Sequence, residues 1–116
     1  RDEAAEMAER VRQAVANYSF DVDDGMRLRK TASIGFAIYP FYQQHPDALG
    51  WEQVVNIADR ALYAAKKAGR DCWVGINSEL SSRLHENPLQ DDKLIRLLDS
   101  GELHIQASRP VVPENL

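Results

Sequence analysis

Lys66 and Arg70 are the side chains whose types and spacing best suit chemistry. They are cations four residues apart at the end of a helical stretch, with Gly69 between them. Two cations so spaced can converge on one anion, and a phosphate takes charge-assisted hydrogen bonds from both. At about 100° per helical residue, Tyr63, Lys66 and Arg70 fall within about 40° of Asp59, beside the edge of an apolar stripe. Arg60 and Lys67 point some 80–100° away. The projection therefore predicts a partly buried ridge that holds Lys66 and Arg70, with Lys67 in solvent. Helix dipoles favour cations at this end, and the spacing alone favours a plain solvated terminus. Asp59 and Tyr63 are expected to support the helix structurally rather than to react.

The elements that must position this ridge are legible from periodicity. Ala4, Met7, Ala8, Val11, Ala14, Val15 and Tyr18 recur at helical spacing and predict an amphipathic helix over residues 4–18, flanked by Glu3, Glu6, Arg10 and Arg12. Phe20 and Val22 lead into Asp23-Asp24-Gly25, a two-residue turn signal, and a return strand is expected from Met26 to about Tyr39. That strand carries bulky Ile34, Phe36 and Ile38 on one face and small Ser33, Gly35 and Ala37 on the other. A small face of this kind predicts close cover over Gly35. Residues 40–50 form an unreadable loop. The second helix is expected from Trp51 to Ala68, with Trp51, Val54, Ala58, Ala61, Leu62 and Ala65 in its stripe and Gly69 at C′. Cys72 to Ile76 reads as a strand, and Trp51, Trp73 and Phe36 as core aromatics. Helix, hairpin, helix, strand is an α+β pattern with a mainly antiparallel sheet.

Residues 77–116 differ in texture. A capped helix bearing Leu94, Leu97 and Leu98 stops at Gly101, Glu102 to Ala107 alternates like a strand, and a proline-bearing end follows. This segment is expected to be a tail or linker, which puts the domain at 1–76.

Composition excludes several classes. In 116 residues the formal net charge is −4, which argues against a broad nucleic-acid or anionic-lipid surface. The single cysteine, Cys72, forms no internal disulfide and fits a reducing compartment, so a cytoplasmic location is expected. No apolar run approaches the roughly 18 residues of a membrane span, and no membrane contact by this segment is expected. His45, His85 and His104 lack metal-ligand spacing, and Asp21, Asp23 and Asp24 suit turn formation better than metal binding.

The string Ala-Asp-Arg-Ala-Leu-Tyr-Ala-Ala-Lys-Lys-Ala-Gly-Arg-Asp at 58–71, preceded by Ser-Ile-Gly at 33–35 and Ala-Glu-Arg-Val-Arg at 8–12, resembles the closing half of the GGDEF (diguanylate cyclase) family. The resemblance covers about residues 4–76. It implies a palm-like α/β core related to adenylyl cyclases, and condensation of two GTP into cyclic di-GMP by a homodimer in bacterial signalling. It also implies two divalent ions, Mg or Mn, in the intact domain. The family's phosphate-gripping Lys and Arg fall on Lys66 and Arg70. No Gly-Gly-[Asp/Glu]-[Asp/Glu]-Phe loop occurs in this chain. The chain opens already inside a helix, so an upstream half carrying the metal ligands and guanine-reading residues is expected. This part alone should bind no metal and turn over no GTP, and it should self-associate through its cut surfaces. The alternative is a degenerate domain that binds GTP or cyclic di-GMP and regulates a partner without turnover.

Two further resemblances are open. Arg10 matches the family arginine that contacts inhibitory cyclic di-GMP, but pairing with Glu6 along the helix explains it as well. Gly-Glu-Leu-His-Ile-Gln at 101–106 resembles the entry strand of EAL phosphodiesterase domains, with Ala107-Ser108-Arg109 interrupting the pattern.

Overall fold

The computed structural model describes residues 2–21 and 25–116; the expected Asp23-Asp24 turn lies outside the described residues. Helix α1 spans Asp2–Asn17 and is followed by a two-stranded antiparallel ribbon, β1 Ser19–Asp21 with β2 Arg27–Arg29, in the register Phe20↔Leu28. Strand β3, Ser33–Phe36, leads through a loop to helix α2, Trp51–Lys67, and strand β4, Cys72–Ser78. A six-residue helix α3, Leu94–Asp99, and strand β5, Leu103–Ala107, follow.

The return strand expected over 26–39 is divided. Its first part pairs back to β1, with its side chains exposed, while its second part lies in a different sheet of order β3-β4-β5. There β3 runs parallel to β4, pairing Ser33 with Cys72 and Phe36 with Gly75. Parallel neighbours need a long crossover, and α2 supplies it. The expected antiparallel character holds for β1–β2 and for β4–β5, and β3–β4 departs from it. The signal for that departure was present: a strand, a helical stretch and a second strand make a βαβ unit.

The core lies between α2 and β4. Val54, Ile57, Ala61, Ala64 and Ala65 of α2 meet Cys72, Val74 and Ile76, with Phe41, Tyr42 and Leu49 from the loop that resisted periodicity analysis. Tyr42 is 1% exposed, and its hydroxyl donates to the Glu86 carbonyl at 2.7 Å. Leu94, Leu97, Leu103 and Leu116 join the same cluster, and β5 pairs with β4 from Val74↔Ala107 to Ser78↔Leu103. Residues 77–116 therefore hold the expected helix and strand, and both are packed into the core instead of trailing from it. The reason is that β4 is buried on both faces and its second edge accepts a partner.

Two aromatic and apolar expectations are corrected. Trp51 is 64% exposed, because α2 begins there and its buried stripe is centred on Ile57 and Ala61. On α1, Ala8 turns inward while Met7 and Val11 face solvent, as does Tyr18 just past its end, so the helix rests on its small-residue edge. Phe36 and Trp73 are half-buried and pack together, with ring centroids 5.9 Å apart.

Candidate functional site

The site is built at the exit of α2. Close cover over Gly35 is what the sequence predicted and what the fold has. A Cβ at Gly35 would collide with the backbone nitrogen of Leu62 and the carbonyl of Ala58, and would lie 2.6 Å from Leu62 Cα. Helix α2 thus crosses β3 backbone to backbone, which fixes where its last turn is delivered.

That last turn closes as a Schellman motif. The Arg70 amide donates to the Ala65 carbonyl at 3.1 Å and the Gly69 amide to the Lys66 carbonyl at 3.4 Å, with Ala68 as C-cap and Gly69 at φ 113°. Arg70 and Asp71 also take left-handed φ values, 65° and 48°. Asp tolerates that region better than most side chains, whereas Arg needs the turn to be held by its surroundings.

The holding contacts come from both ends of the chain. Arg12 of α1 bonds Asp71 Oδ1 at 2.9 Å and Glu9 Oε2 at 2.7 Å, and Trp73 Nε1 donates to Glu9 Oε1 at 2.9 Å. From the other end, Arg109 donates Nη1–H to the Ala68 carbonyl and Nη2–H to the Asp71 carbonyl, each at 3.3 Å. Hydrogen bonds from Arg12, and then from Gln13 and Trp73, hold the Glu9 carboxyl down at about 2, and the same pairing raises the Arg12 guanidinium. These residues line one pocket, with Ser108 between Trp73 and Arg109.

Lys66 and Arg70 are both exposed, and among the described residues neither side chain has a hydrogen bond or ion pair. The ridge is thus more open than the helical projection implied. The helix also ends before Arg70, so that residue is placed by the turn and not by helical phase. Lys67 is exposed too, but its Nζ lies 5.3 Å from the Tyr63 ring centroid, which occupies it on its own face. Asp59 is exposed, and Tyr63 is 50% exposed with Lys67 as its contact. Arg10 is exposed beside Glu3, Glu6 and Met7 at a shallow pocket on α1, with no ion pair to Glu6 among the described residues. Cys72 is buried, its thiol pushed up by burial, with Sγ 3.2 Å from the Ala65 carbonyl.

Arg12, Asp71 and Arg109 were not recognised as parts of this site from sequence. The Glu9–Arg12 pair has a signal, oppositely charged residues at i,i+3, but the contacts to Asp71 and from Arg109 span the whole chain. Among the described residues no group of His, Cys, Asp or Glu side chains is placed to hold a metal ion. The described residues thus do not by themselves make up a metal site. No helix among them is long and apolar enough to cross a membrane.

The exit of α2 thus presents two exposed cations, Lys66 and Arg70, on a braced turn beside a small three-stranded mixed sheet. Residues 1–72 match the family described as diguanylate cyclase, GGDEF domain, and the chain belongs to that family. It is 37% identical over 70 residues to the uncharacterized protein YhcK of Bacillus subtilis, covering 60% of this chain and 18% of that protein. It is 36% identical over 70 residues to diguanylate cyclase DosC of Escherichia coli K12 and to that of Shigella sonnei, covering 60% of this chain and 14% of each. The chain therefore spans less than a fifth of the length of these curated relatives. No solved structure matches it.

The Glu9 network has a consequence for acid stability. The folded carboxyl sits at about 2 against an ordinary 4.5, so the contribution is complete above about pH 4.5 and is lost as pH falls towards 2. Thermal unfolding between pH 6 and 2 should show a steeper acid limb for the native chain than for Glu9→Gln. Equal slopes would mean that Glu9 carries no such linkage.

Proposed function

We propose that Lys66 and Arg70 grip the terminal phosphates of GTP in a domain that condenses two GTP into cyclic di-GMP. The observation that carries this reading is that both cationic side chains stand exposed and unpartnered beside a turn whose Ala65, Lys66 and Ala68 carbonyls already accept hydrogen bonds. Cations without internal partners keep their charge for a ligand, and a phosphate group can accept from both. A helix C-terminus is otherwise the wrong end for an anion, because its free carbonyls are negative. Here the Ala64, Ala65, Lys66 and Ala68 carbonyls all accept hydrogen bonds from the chain, which reduces that repulsion.

The chemistry of condensation belongs to other residues. Attack of one GTP's 3′-hydroxyl on the other's α-phosphate expels pyrophosphate, and divalent Mg or Mn bound in the intact domain would neutralise the charge that develops. This chain's part is to bind and orient the pyrophosphate leaving group, and a second copy of the domain would bring the second GTP. Arg10, exposed on α1, is available to contact inhibitory cyclic di-GMP in the complete domain.

The complete domain and this chain, each incubated with GTP and magnesium or manganese, test the reading by chromatography of the products. Cyclic di-GMP is expected from the complete domain and none from this chain. Product from this chain above a protein-free control would overturn the division of labour. Tight GTP binding by the complete domain without product would assign it as a nucleotide receptor.

A further inference from the structure

The cation that completes the α2 exit comes from outside the family-matched residues. Ser108 pairs with Trp73 in both directions: its amide donates to the Trp73 carbonyl at 3.1 Å, and the Trp73 amide donates to Ser108 Oγ at 3.0 Å. This carries the β4–β5 pairing past Ala107 and sets Arg109 beside the turn. The guanidinium then spans the turn, taking the Ala68 carbonyl before Arg70 and the Asp71 carbonyl after it. It also fills the space over Gly69, where an added Cβ would lie 2.8 Å from Nη1. A planar fork of donors can bridge two carbonyls in this way, whereas an ammonium offers one point of contact.

We propose that Arg109 is a positioning residue for the phosphate grip: it locks the Gly69–Asp71 turn in its left-handed course and thereby holds Arg70 towards the nucleotide. The segment after β4 then sets the affinity of the GGDEF unit it follows. Displacing β5 or Arg109 loosens the grip without touching any ligand contact. Arg109 also places positive charge on the helix end that would otherwise repel phosphate. The proposal rests on the phosphate reading of Lys66 and Arg70, and its test separates the two.

The first arm needs no nucleotide. In this chain Arg109→Ala should speed hydrogen exchange of the Arg70 amide roughly tenfold, through loss of the bonds that hold the turn. The Ile76 amide in the middle of β4 should be unchanged, which excludes general unfolding. Arg109→Lys should fall between the two. The second arm measures GTP affinity in the complete domain for Arg109→Ala, Arg70→Ala and the double variant. Arg109→Ala should weaken GTP roughly three- to tenfold alone and have no further effect once Arg70 is removed, since the two act as one unit. An unchanged Arg70 exchange rate overturns the brace. An equal loss with and without Arg70 overturns positioning, because Arg109 would then act on the nucleotide by itself. Unchanged GTP affinity in Arg70→Ala contradicts the phosphate reading instead, and the exchange arm still decides the brace.

Discussion

Gly35→Ala should cost this chain at least about 4 kcal/mol, at the upper end of what overpacking produces. The added methyl would occupy the space of the Leu62 nitrogen and the Ala58 carbonyl, both main-chain atoms within α2. A flexible side chain could move aside, but a helix backbone cannot without shifting the whole of α2 off β3. Whole-domain stabilities are only about 5–15 kcal/mol, so a melting temperature lower by 15 °C or more is expected. Gly50→Ser is the comparison. Gly50 has open space around its Cβ position and an ordinary φ of −76° at the N-cap of α2, so serine there should be neutral or slightly stabilising. Differential scanning calorimetry of both variants checks this. A Gly35→Ala melting temperature within a few degrees of the native value would mean that α2 and β3 are not in backbone contact.

That contact was legible in the sequence because it has a local cause. A strand with one small face and a glycine at its centre announces a close neighbour, whatever that neighbour is. The end of α2 was legible for a similar reason: Gly69 after the last periodic residue marks C′, and the helix stops where that signal places it. The sheet was less so. Periodicity shows that residues 26–39 are extended, but not that Arg27–Arg29 and Ser33–Phe36 serve different sheets, since partner choice depends on segments far along the chain. The burial of Phe41 and Tyr42 carries no periodic signal at all, because an irregular loop has no face to repeat.

The site divides along the same line. Lys66 is placed by helical phase, which the residue spacing gives directly. Arg70 lies past the helix, so the projection that groups it with Lys66 uses a geometry the turn does not have. The exposure of both side chains, and the occupation of Lys67 by Tyr63, depend on what packs around the helix end. Arg109 had no sequence signal. The residues at its position read as an interruption of a strand pattern, and its role follows only from β5 pairing beside β4.

The grip itself is tested by GTP affinity in the complete domain at fixed ionic strength, for Lys66→Ala, Arg70→Ala and Lys67→Ala. A charge-assisted contact is worth about 1.5–3 kcal/mol, so loss of either gripping cation should weaken binding roughly 10- to 150-fold at about 1.4 kcal/mol per decade. Lys67→Ala removes an equal charge from the same turn, but one whose ammonium rests on Tyr63. It should change affinity by less than about threefold, as a screened surface charge does. Guanosine carries no phosphates, and any affinity for it should be indifferent to all of these changes. The predicted result is a large loss for Lys66→Ala and Arg70→Ala with Lys67→Ala near the native value. An equal loss for Lys66→Ala and Lys67→Ala would show diffuse positive charge at a helix end and would contradict a phosphate site at Lys66 and Arg70.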